Sequence, residues 1–223
     1  MPARHEEKFL IDYSEYVRIR ARAEGAMLPD PHGDFGSYVI TSLYYDDAND
    51  SALLEKLDGI RVHTKYRVRT YDCSAQPVQL ERKVKRGIMT EKYGASIPAE
   101  AVTDLSDPMA DFAAFGKKAL IMATEMRSKG LKPAIIVRYR RDAFVYPPLD
   151  CRLTFDTNVE ALDANIDHLF DDSGGGIPAL PRQTVVMEVK YGDRAPAFLR
   201  KISACNGMQL SVSKYALCRE VLR

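Results

Sequence analysis

Apolar and polar residues alternate along several short stretches of this chain, a pattern typical of β-strands with one buried face. The clearest example is the stretch VHTKYRVRTY, in which alternate positions hold Lys65, Arg67 and Arg69. The positions between these cations hold Tyr66 and Val68. A strand of this kind either turns its cations to bulk water or directs them at an anionic ligand.

The alternation predicts strands, and a helical spacing of apolar residues predicts helices between them. The predicted strands cover residues 4–11, 38–46, 61–71, 78–85, 91–97, 135–146, 151–157 and 184–191. The predicted helices cover residues 12–24, 108–129, 195–204 and 214–222, the first of them opened by a capping box at Asp12 and Glu15. Strands outnumber helices, which indicates one α+β domain over residues 1–223, built on an antiparallel sheet that can close into a barrel.

The longest predicted helix carries an apolar stripe of seven residues, which we interpret as core packing. The stripe consists of Met109, Phe112, Phe115, Ala119, Met122, Ala123 and Met126. The glycine-rich segment 171–176 is interpreted as a flexible loop, because it lacks the sequence context of a phosphate-binding P-loop.

Composition limits the classes of function. The chain has 223 residues, 46% of them hydrophobic, as in a folded protein. The formal charge is 32 − 31 = +1, which argues against a surface coated with positive charge for binding nucleic acid or lipid. Four scattered cysteines without CxxC spacing and no apolar span of about 20 residues predict a cytoplasmic protein with reduced thiols and no membrane segment of its own.

Charged residues occupy one face of several predicted strands. Residues 4, 6 and 8 are Arg, Glu and Lys, and residues 81, 83 and 85 are Glu, Lys and Lys. Residues 152, 154 and 156 are Arg, Thr and Asp, and residues 188 and 190 are Glu and Lys. These faces either meet water or face one another across a closed sheet. A closed sheet of this kind needs water or a polyanion, because each isolated charge in a dry interior costs on the order of several kcal/mol.

The mixture of cations and carboxylates favours phosphate with a divalent metal ion over nucleic acid. Few aromatic residues share these faces, so stacking of bases is not expected. Mg²⁺ commonly binds through one or two carboxylates together with phosphate oxygens. Three cations spaced by two residues cover about 13 Å of strand, comparable to a short phosphate chain. We therefore interpret Lys65, Lys85 and Lys190 as phosphate-binding residues.

The strand RYRRDAF is ambiguous by its period alone. Either Arg138 and Arg140, or Tyr139 and Arg141, can lie on the charged face. The four histidines are far apart and make no zinc pattern, and no Ser or Cys nucleophile has a convincing partner base.

An ordered set of short motifs resembles the triphosphate tunnel metalloenzyme superfamily, and within it the VTC-type polyphosphate polymerase domain. The motifs, in chain order, are RHEEKFLID, TSLYYDD, YRVRTY, LERKVK, TEKYG, RYRRDAF, RLTFDTN, MEVKY and VSKY. This resemblance implies a closed antiparallel eight-stranded β-barrel with helices packed outside, whose lumen binds ATP or another triphosphate, or polyphosphate, with Mn²⁺ or Mg²⁺.

The resemblance also implies roles for individual residues. It implies catalytic roles for Lys8, Arg67, Arg69, Lys83, Arg141 and Glu188. It selects Tyr139 with Arg141 in the ambiguous strand, and implies phosphate binding by Lys92, Tyr139, Arg152 and Lys214. Glu188, with Glu6 in a less defined role, would hold the metal ion.

The function expected from these observations is ATP-dependent growth of polyphosphate. A triphosphatase that transfers the same phosphoryl group to water is the nearest alternative. A polyphosphate-binding or nucleotide-binding module without catalysis is another, and it would keep the cations without requiring Glu188.

Overall fold

A computed structural model describes residues 5–76, 78–87, 89–209 and 213–222. Its strands are β1 (His5–Asp12), β2 (Leu28–Pro29), β3 (Ser37–Asp46), β4 (Val62–Tyr71), β5 (Val78–Arg86), β6 (Met89–Ile97), β7 (Lys132–Tyr146), β8 (Cys151–Leu162), β9 (Ile177–Pro178), β10 (Thr184–Tyr191) and β11 (Met208–Gln209). Its α-helices are α1 (Tyr13–Glu24), α2 (Ser51–Leu57), α3 (Lys117–Ser128), α4 (Ala197–Ile202) and α5 (Lys214–Val221). Short 3₁₀ helices cover Ala99–Ser106, Ala113–Phe115, Pro147–Leu149 and Ile166–Leu169.

The strands form one antiparallel sheet, and this sheet is open. Its hydrogen-bonded order is β11-β1-β10-β8-β7-β3-β4-β5-β6, with β2 added to β7 and β9 added to β8. The two ends of the order, β11 and β6, are not paired with each other. The predicted closed barrel is therefore wrong, although eight of the described strands have eight or more residues and helices flank the sheet. Side-chain alternation defines the faces of a strand but contains no information on whether the two edge strands meet.

The chain divides into two compact units. Unit 1 comprises the described residues of 1–39, 139–159 and 180–213, and unit 2 those of 40–138, 160–179 and 214–223. Strands β3, β7 and β8 each contribute residues to both units.

The core of unit 1 forms where α1 covers its strands. Asp12 caps the helix, since its carboxylate accepts a hydrogen bond of 2.8 Å from the Glu15 amide, as the sequence predicted. Tyr16 and Ile19 are buried at helical spacing. The Tyr16 ring packs edge-on against Phe155, with ring centroids 5.2 Å apart. Position 4 of the predicted first strand lies outside the described residues.

The core of unit 2 contains the predicted apolar stripe in part. Met122 and Met126 of α3 are buried in one cluster with Tyr66 and Val68 of β4, so the apolar face of VHTKYRVRTY lies in the core. Met109 is 87% exposed, which contradicts its assignment to the stripe.

The predicted helix over residues 108–129 is too long at its amino end. Gly116 has φ of +90°, a left-handed conformation that interrupts the helix and places the start of α3 at Lys117. Of the periodic apolar residues before Gly116, Phe115 lies in the separate 3₁₀ helix Ala113–Phe115, Phe112 directly precedes that helix, and Met109 lies in a turn.

Candidate functional site

The three cations of β4 lie on the strand face opposite to the core of unit 2. Arg69 is buried, and the side chain of Arg67 is 17% exposed. The Arg67 guanidinium donates a hydrogen bond of 2.8 Å to the Tyr44 hydroxyl, and that of Arg69 donates one of 3.3 Å to the Ser42 hydroxyl. Both acceptors belong to β3, so hydrogen bonds across the strand pair orient the two arginines.

Strand pairing aligns three lysines in one row across unit 2. Lys65 of β4 lies opposite Lys83 of β5, and Lys83 lies opposite Lys92 of β6. Like charges placed directly opposite each other destabilise a sheet. We define the face made by Lys65, Arg67, Arg69, Lys83, Lys85 and Lys92 as the cationic face; it carries every predicted site residue of β4, β5 and β6.

The main carboxylate of the cationic face is Glu81, which the predicted site omitted. Glu81 is buried and forms ion pairs with Arg67, at 2.5 Å, and with Lys92. Burial by itself would raise the pKa of Glu81, but the charges of Arg67, Arg69 and Lys92 outweigh burial and hold that pKa well below its usual range. Burial lowers the pKa of Lys92, and the charge of Glu81 opposes this effect. The sequence signal for Glu81 is its position two residues before Lys83, because residues two apart in a strand lie on the same face.

Lys214 is the first residue of α5. The next residue, Tyr215, is buried, and its hydroxyl donates a hydrogen bond of 2.5 Å to Asp46 at the end of β3. The Lys65 ammonium lies 4.8 Å from the centre of the Tyr215 ring. Helix α5 thus contacts the cationic face through an aromatic residue that the predicted site did not include.

In unit 1, four charged residues of β1 and β10 form a compact group, which we call the quartet. Pairing places Glu6 opposite Lys190 and Lys8 opposite Glu188. The Lys8 ammonium lies 2.9 Å from Glu6 and 3.6 Å from Glu188. The Lys190 ammonium lies 3.5 Å from Glu6 and 3.3 Å from Glu188. Each carboxylate is therefore shared by two lysines.

The ambiguity in RYRRDAF is resolved by the contacts of each arginine. Arg141 donates two hydrogen bonds to Asp156, of 2.6 and 2.8 Å, and lies 3.9 Å from Glu188. Arg141 also lies over the Tyr139 ring, 5.4 Å from its centre. Burial alone would lower the pKa of Arg141, but Asp156 outweighs it and raises that pKa. Asp156, like Glu81, is a buried carboxylate that the predicted site omitted.

The other two arginines of this strand have different partners. Arg138 donates hydrogen bonds to the carbonyl groups of His168, Asp171 and Gly174 in unit 2. Arg140 is exposed and donates to the Ser37 hydroxyl in unit 1. Neither contacts the quartet in the described part of the chain.

Arg152, predicted to bind phosphate, is already paired with an anion. Its guanidinium lies 2.8 Å from Asp30 and donates a hydrogen bond of 2.7 Å to the Tyr38 hydroxyl. Pairing places Arg152 opposite Lys190, so it adjoins the quartet.

The quartet offers carboxylate oxygens for a divalent cation. Among the described residues, no three His, Cys, Asp or Glu side chains come together as a preformed metal centre. Glu6 and Glu188 already pair with Lys8 and Lys190, so a divalent cation would have to displace these lysines and take its remaining ligands from phosphate oxygens and water. With that rearrangement, the two carboxylates would suit Mn²⁺ or Mg²⁺.

The structure defines an antiparallel-sheet protein with charged strand faces. The family model described as the VTC domain matches residues 3–223. The chain belongs to the VTC domain family, which confirms the resemblance to the VTC-type domain. Family membership associates the chain with triphosphate chemistry.

Solved structures share the fold at low sequence identity. The PH1819 protein of Pyrococcus horikoshii OT3 superposes with a TM-score of 0.51 at 13% identity, covering 98% of this chain and 99% of that one. A presumed adenylate cyclase, bh2851, from Bacillus halodurans superposes with a TM-score of 0.50 at 14% identity, covering 85% of this chain and 80% of that one.

The search of curated protein sequences found no match. No helix within the described ranges combines the length and the apolar character needed to cross a membrane.

Proposed function

We propose that this protein is a metal-dependent phosphotransferase that passes the terminal phosphoryl group of ATP to the end of a polyphosphate chain. Membership of the VTC domain family supports a triphosphate or polyphosphate substrate. The more specific assignment depends on how charge is distributed over the two units.

The observation that supports the proposal most directly is the row of Lys65, Lys83 and Lys92 on the cationic face. The chain as a whole has a formal charge of only +1, so this concentration of cations is local. Like charges side by side in a sheet are unfavourable unless an anion offsets them. Glu81 already pairs with Lys92, and a phosphate chain, which carries several negative charges, would add counter-charge along the row.

On the cationic face, the arginines and lysines would bind and align the phosphate chain. Arg67 and Arg69 present guanidinium groups that are already oriented by hydrogen bonds to β3, which reduces the entropy lost on binding. Forked N–H donors match phosphate oxygens, and Lys83, Lys85 and Lys214 would add point charges. Together these groups would stabilise the charge on the transferred phosphoryl group.

In unit 1, Glu188 and Glu6 would hold Mn²⁺ or Mg²⁺. A bound divalent cation would neutralise charge on the phosphate oxygens. Lys8 and Lys190 would turn from the carboxylates toward phosphate, and Arg141 would be kept in place by Asp156. The acceptor needs no strong general base, because the terminal phosphate of a polyphosphate is already ionised at neutral pH.

The experiment is to incubate purified protein with ATP and Mn²⁺ and to separate long polyphosphate from free phosphate. We expect long polyphosphate to accumulate. Free phosphate without polyphosphate would favour the triphosphatase, and binding without either product would favour the binding module. Chelation of the metal is expected to stop product formation.

Glu188→Gln should abolish the reaction. Glutamine has the same shape as glutamate but lacks the negative charge that would hold the metal ion. Glu7→Gln is the matched control, since Glu7 alternates with Glu6 and Lys8 on β1 and accepts a hydrogen bond of 2.7 Å from Tyr191. Activity of Glu188→Gln close to that of Glu7→Gln at saturating Mn²⁺ would contradict the metal-holding role.

A further inference from the structure

Strand β8 carries a short polar residue directly beside the quartet. Thr154 lies opposite Glu188, which lies opposite Lys8, so the three residues form one row across β8, β10 and β1. The next row along the strands contains Arg152, Lys190 and Glu6. Thr154 therefore lies on the same face as the charged groups proposed to bind metal and phosphate.

The hydroxyl group of Thr154 has no hydrogen-bond partner among the described residues. The residue is 1% exposed, so bulk water does not reach the hydroxyl. A buried hydroxyl without a partner is unfavourable, and in native proteins such a group needs a specific explanation. Valine has nearly the same shape and would avoid this penalty.

A second donor on the same face is also unsatisfied. The Nε of Arg152 is buried without a partner, although another nitrogen of the same guanidinium contacts Asp30 and Tyr38. Arg152 and Thr154 are two residues apart in β8, so both point to one side of the sheet. Two adjacent donors without acceptors, beside the two lysines and two glutamates of the quartet, suit an anion that supplies several oxygens and offsets the lysines.

We propose that Thr154 is a phosphate-binding residue whose hydroxyl donates a hydrogen bond to an oxygen of a triphosphate or polyphosphate bound beside Glu188. The proposal rests on the proposed function and extends it with a neutral donor. Lys8 and Lys190 hold Glu188 through ion pairs of 3.6 and 3.3 Å. A phosphate that draws these lysines away from Glu188 would lie beside the row that contains Thr154.

The test compares Thr154→Val with Thr154→Ser in the full chain. Inorganic tripolyphosphate binding is measured by calorimetry with and without Mn²⁺, and thermal unfolding is measured without ligand. Thr154→Val should weaken binding about tenfold or more, the scale of a hydrogen bond to a charged group. It should also raise the melting temperature of the ligand-free protein by about 2 to 4 °C, because it removes an unsatisfied buried group. Thr154→Ser should keep the affinity of the unmodified protein.

Thr41→Val is the matched control. Thr41 is also a buried β-strand threonine, but it lies on the strand face opposite to Ser42 and Tyr44, which are the residues that contact the cations. Thr41→Val should leave tripolyphosphate affinity unchanged.

Unchanged affinity in Thr154→Val would overturn the inference, and so would a lower melting temperature of its ligand-free form, since that would mean the hydroxyl already has a partner. If the unmodified protein binds tripolyphosphate and makes polyphosphate while Thr154→Val binds equally well, only this inference fails. If affinity depends on Thr154 but no polyphosphate forms from ATP, only the proposed function fails.

Discussion

Replacing Glu81 by glutamine should make the protein less stable and more responsive to polyanions. Glu81 is buried, and its carboxylate forms ion pairs with both Arg67 and Lys92 on the cationic face. Glutamine keeps the shape and removes the charge. The variant therefore leaves the cations of this face with an excess of positive charge that an external anion can offset.

The magnitude follows from the burial of the partners. Breaking a buried ion pair by removing one partner costs about 3 to 5 kcal/mol. The side chain of Arg67 is 17% exposed and that of Lys92 is 52% exposed, so water screens the second pair and the lower limit applies. For a chain of this size, about 3 kcal/mol corresponds to a fall in melting temperature of roughly 6 to 12 °C.

The assay is thermal unfolding with and without tripolyphosphate, with sulfate at equal ionic strength as the reference anion. At a hundredfold excess over Kd, a ligand adds about 2.7 kcal/mol of stability. In Glu81→Gln the phosphate chain would occupy the place of the missing carboxylate. The stabilisation by tripolyphosphate should therefore be larger in the variant than in the unmodified protein.

Glu125→Gln provides the control for losing an arginine-paired carboxylate. Glu125 accepts hydrogen bonds from Arg82 and Tyr66, which alternate with the cations and lie on the opposite strand face. Its removal should leave the response to tripolyphosphate unchanged. Equal responses of Glu81→Gln and the unmodified protein, or equal effects of sulfate and tripolyphosphate, would show that the cations serve structural pairing alone.

The pH dependence gives an independent check on the same residue. Because the folded-state pKa of Glu81 is held well below its unfolded value, its contribution to stability is complete above the unfolded pKa of about 4.3 and is lost as pH falls toward the folded pKa. The unmodified protein should therefore lose more stability than Glu81→Gln below about pH 4.3, as measured by denaturant unfolding. Parallel stability curves in this range would contradict the low pKa.

Two further predictions concern individual residues of unit 2. Arg67→Ala should weaken binding of a non-hydrolysable ATP analogue by about 1 to 3 kcal/mol, because a charge-assisted hydrogen bond is lost; unchanged binding would place Arg67 outside the ligand site. Tyr215→Phe should lower the free energy of unfolding by about 1 to 3 kcal/mol, because it removes the donor to the buried Asp46 carboxylate; equal denaturant midpoints would show that this hydrogen bond has no net effect.

Strand faces were predictable because their signal is local. In VHTKYRVRTY, a period of two separates Tyr66 and Val68, which are in the core, from the cations. Closure of the sheet was not predictable, since it depends on how twist and register accumulate over all strands. The pairing of β4 with β5, which aligns Lys65 with Lys83, likewise required the structure.

Some elements were too short for periodicity to reveal. Helix α2 (Ser51–Leu57) has seven residues, fewer than the window in which helical spacing becomes distinctive, and it was not predicted.

Glu81 and Asp156 were visible as strand carboxylates, but their partners come from other strands. The sequence therefore identified which residue types line each face, and the ion pairs among them emerged only from tertiary contacts.

The three arginines of RYRRDAF should tolerate substitution to different degrees. Arg138 holds three carbonyl groups with two nitrogens, a geometry that a lysine cannot reproduce, so even a charge-preserving exchange there would release the glycine loop. Arg140 is exposed and would tolerate most polar replacements. Substitution of Arg141 would remove its contacts with Asp156 and Glu188 and should impair function. A saturation scan of this strand should thus separate a structural, a neutral and a functional arginine within four consecutive positions.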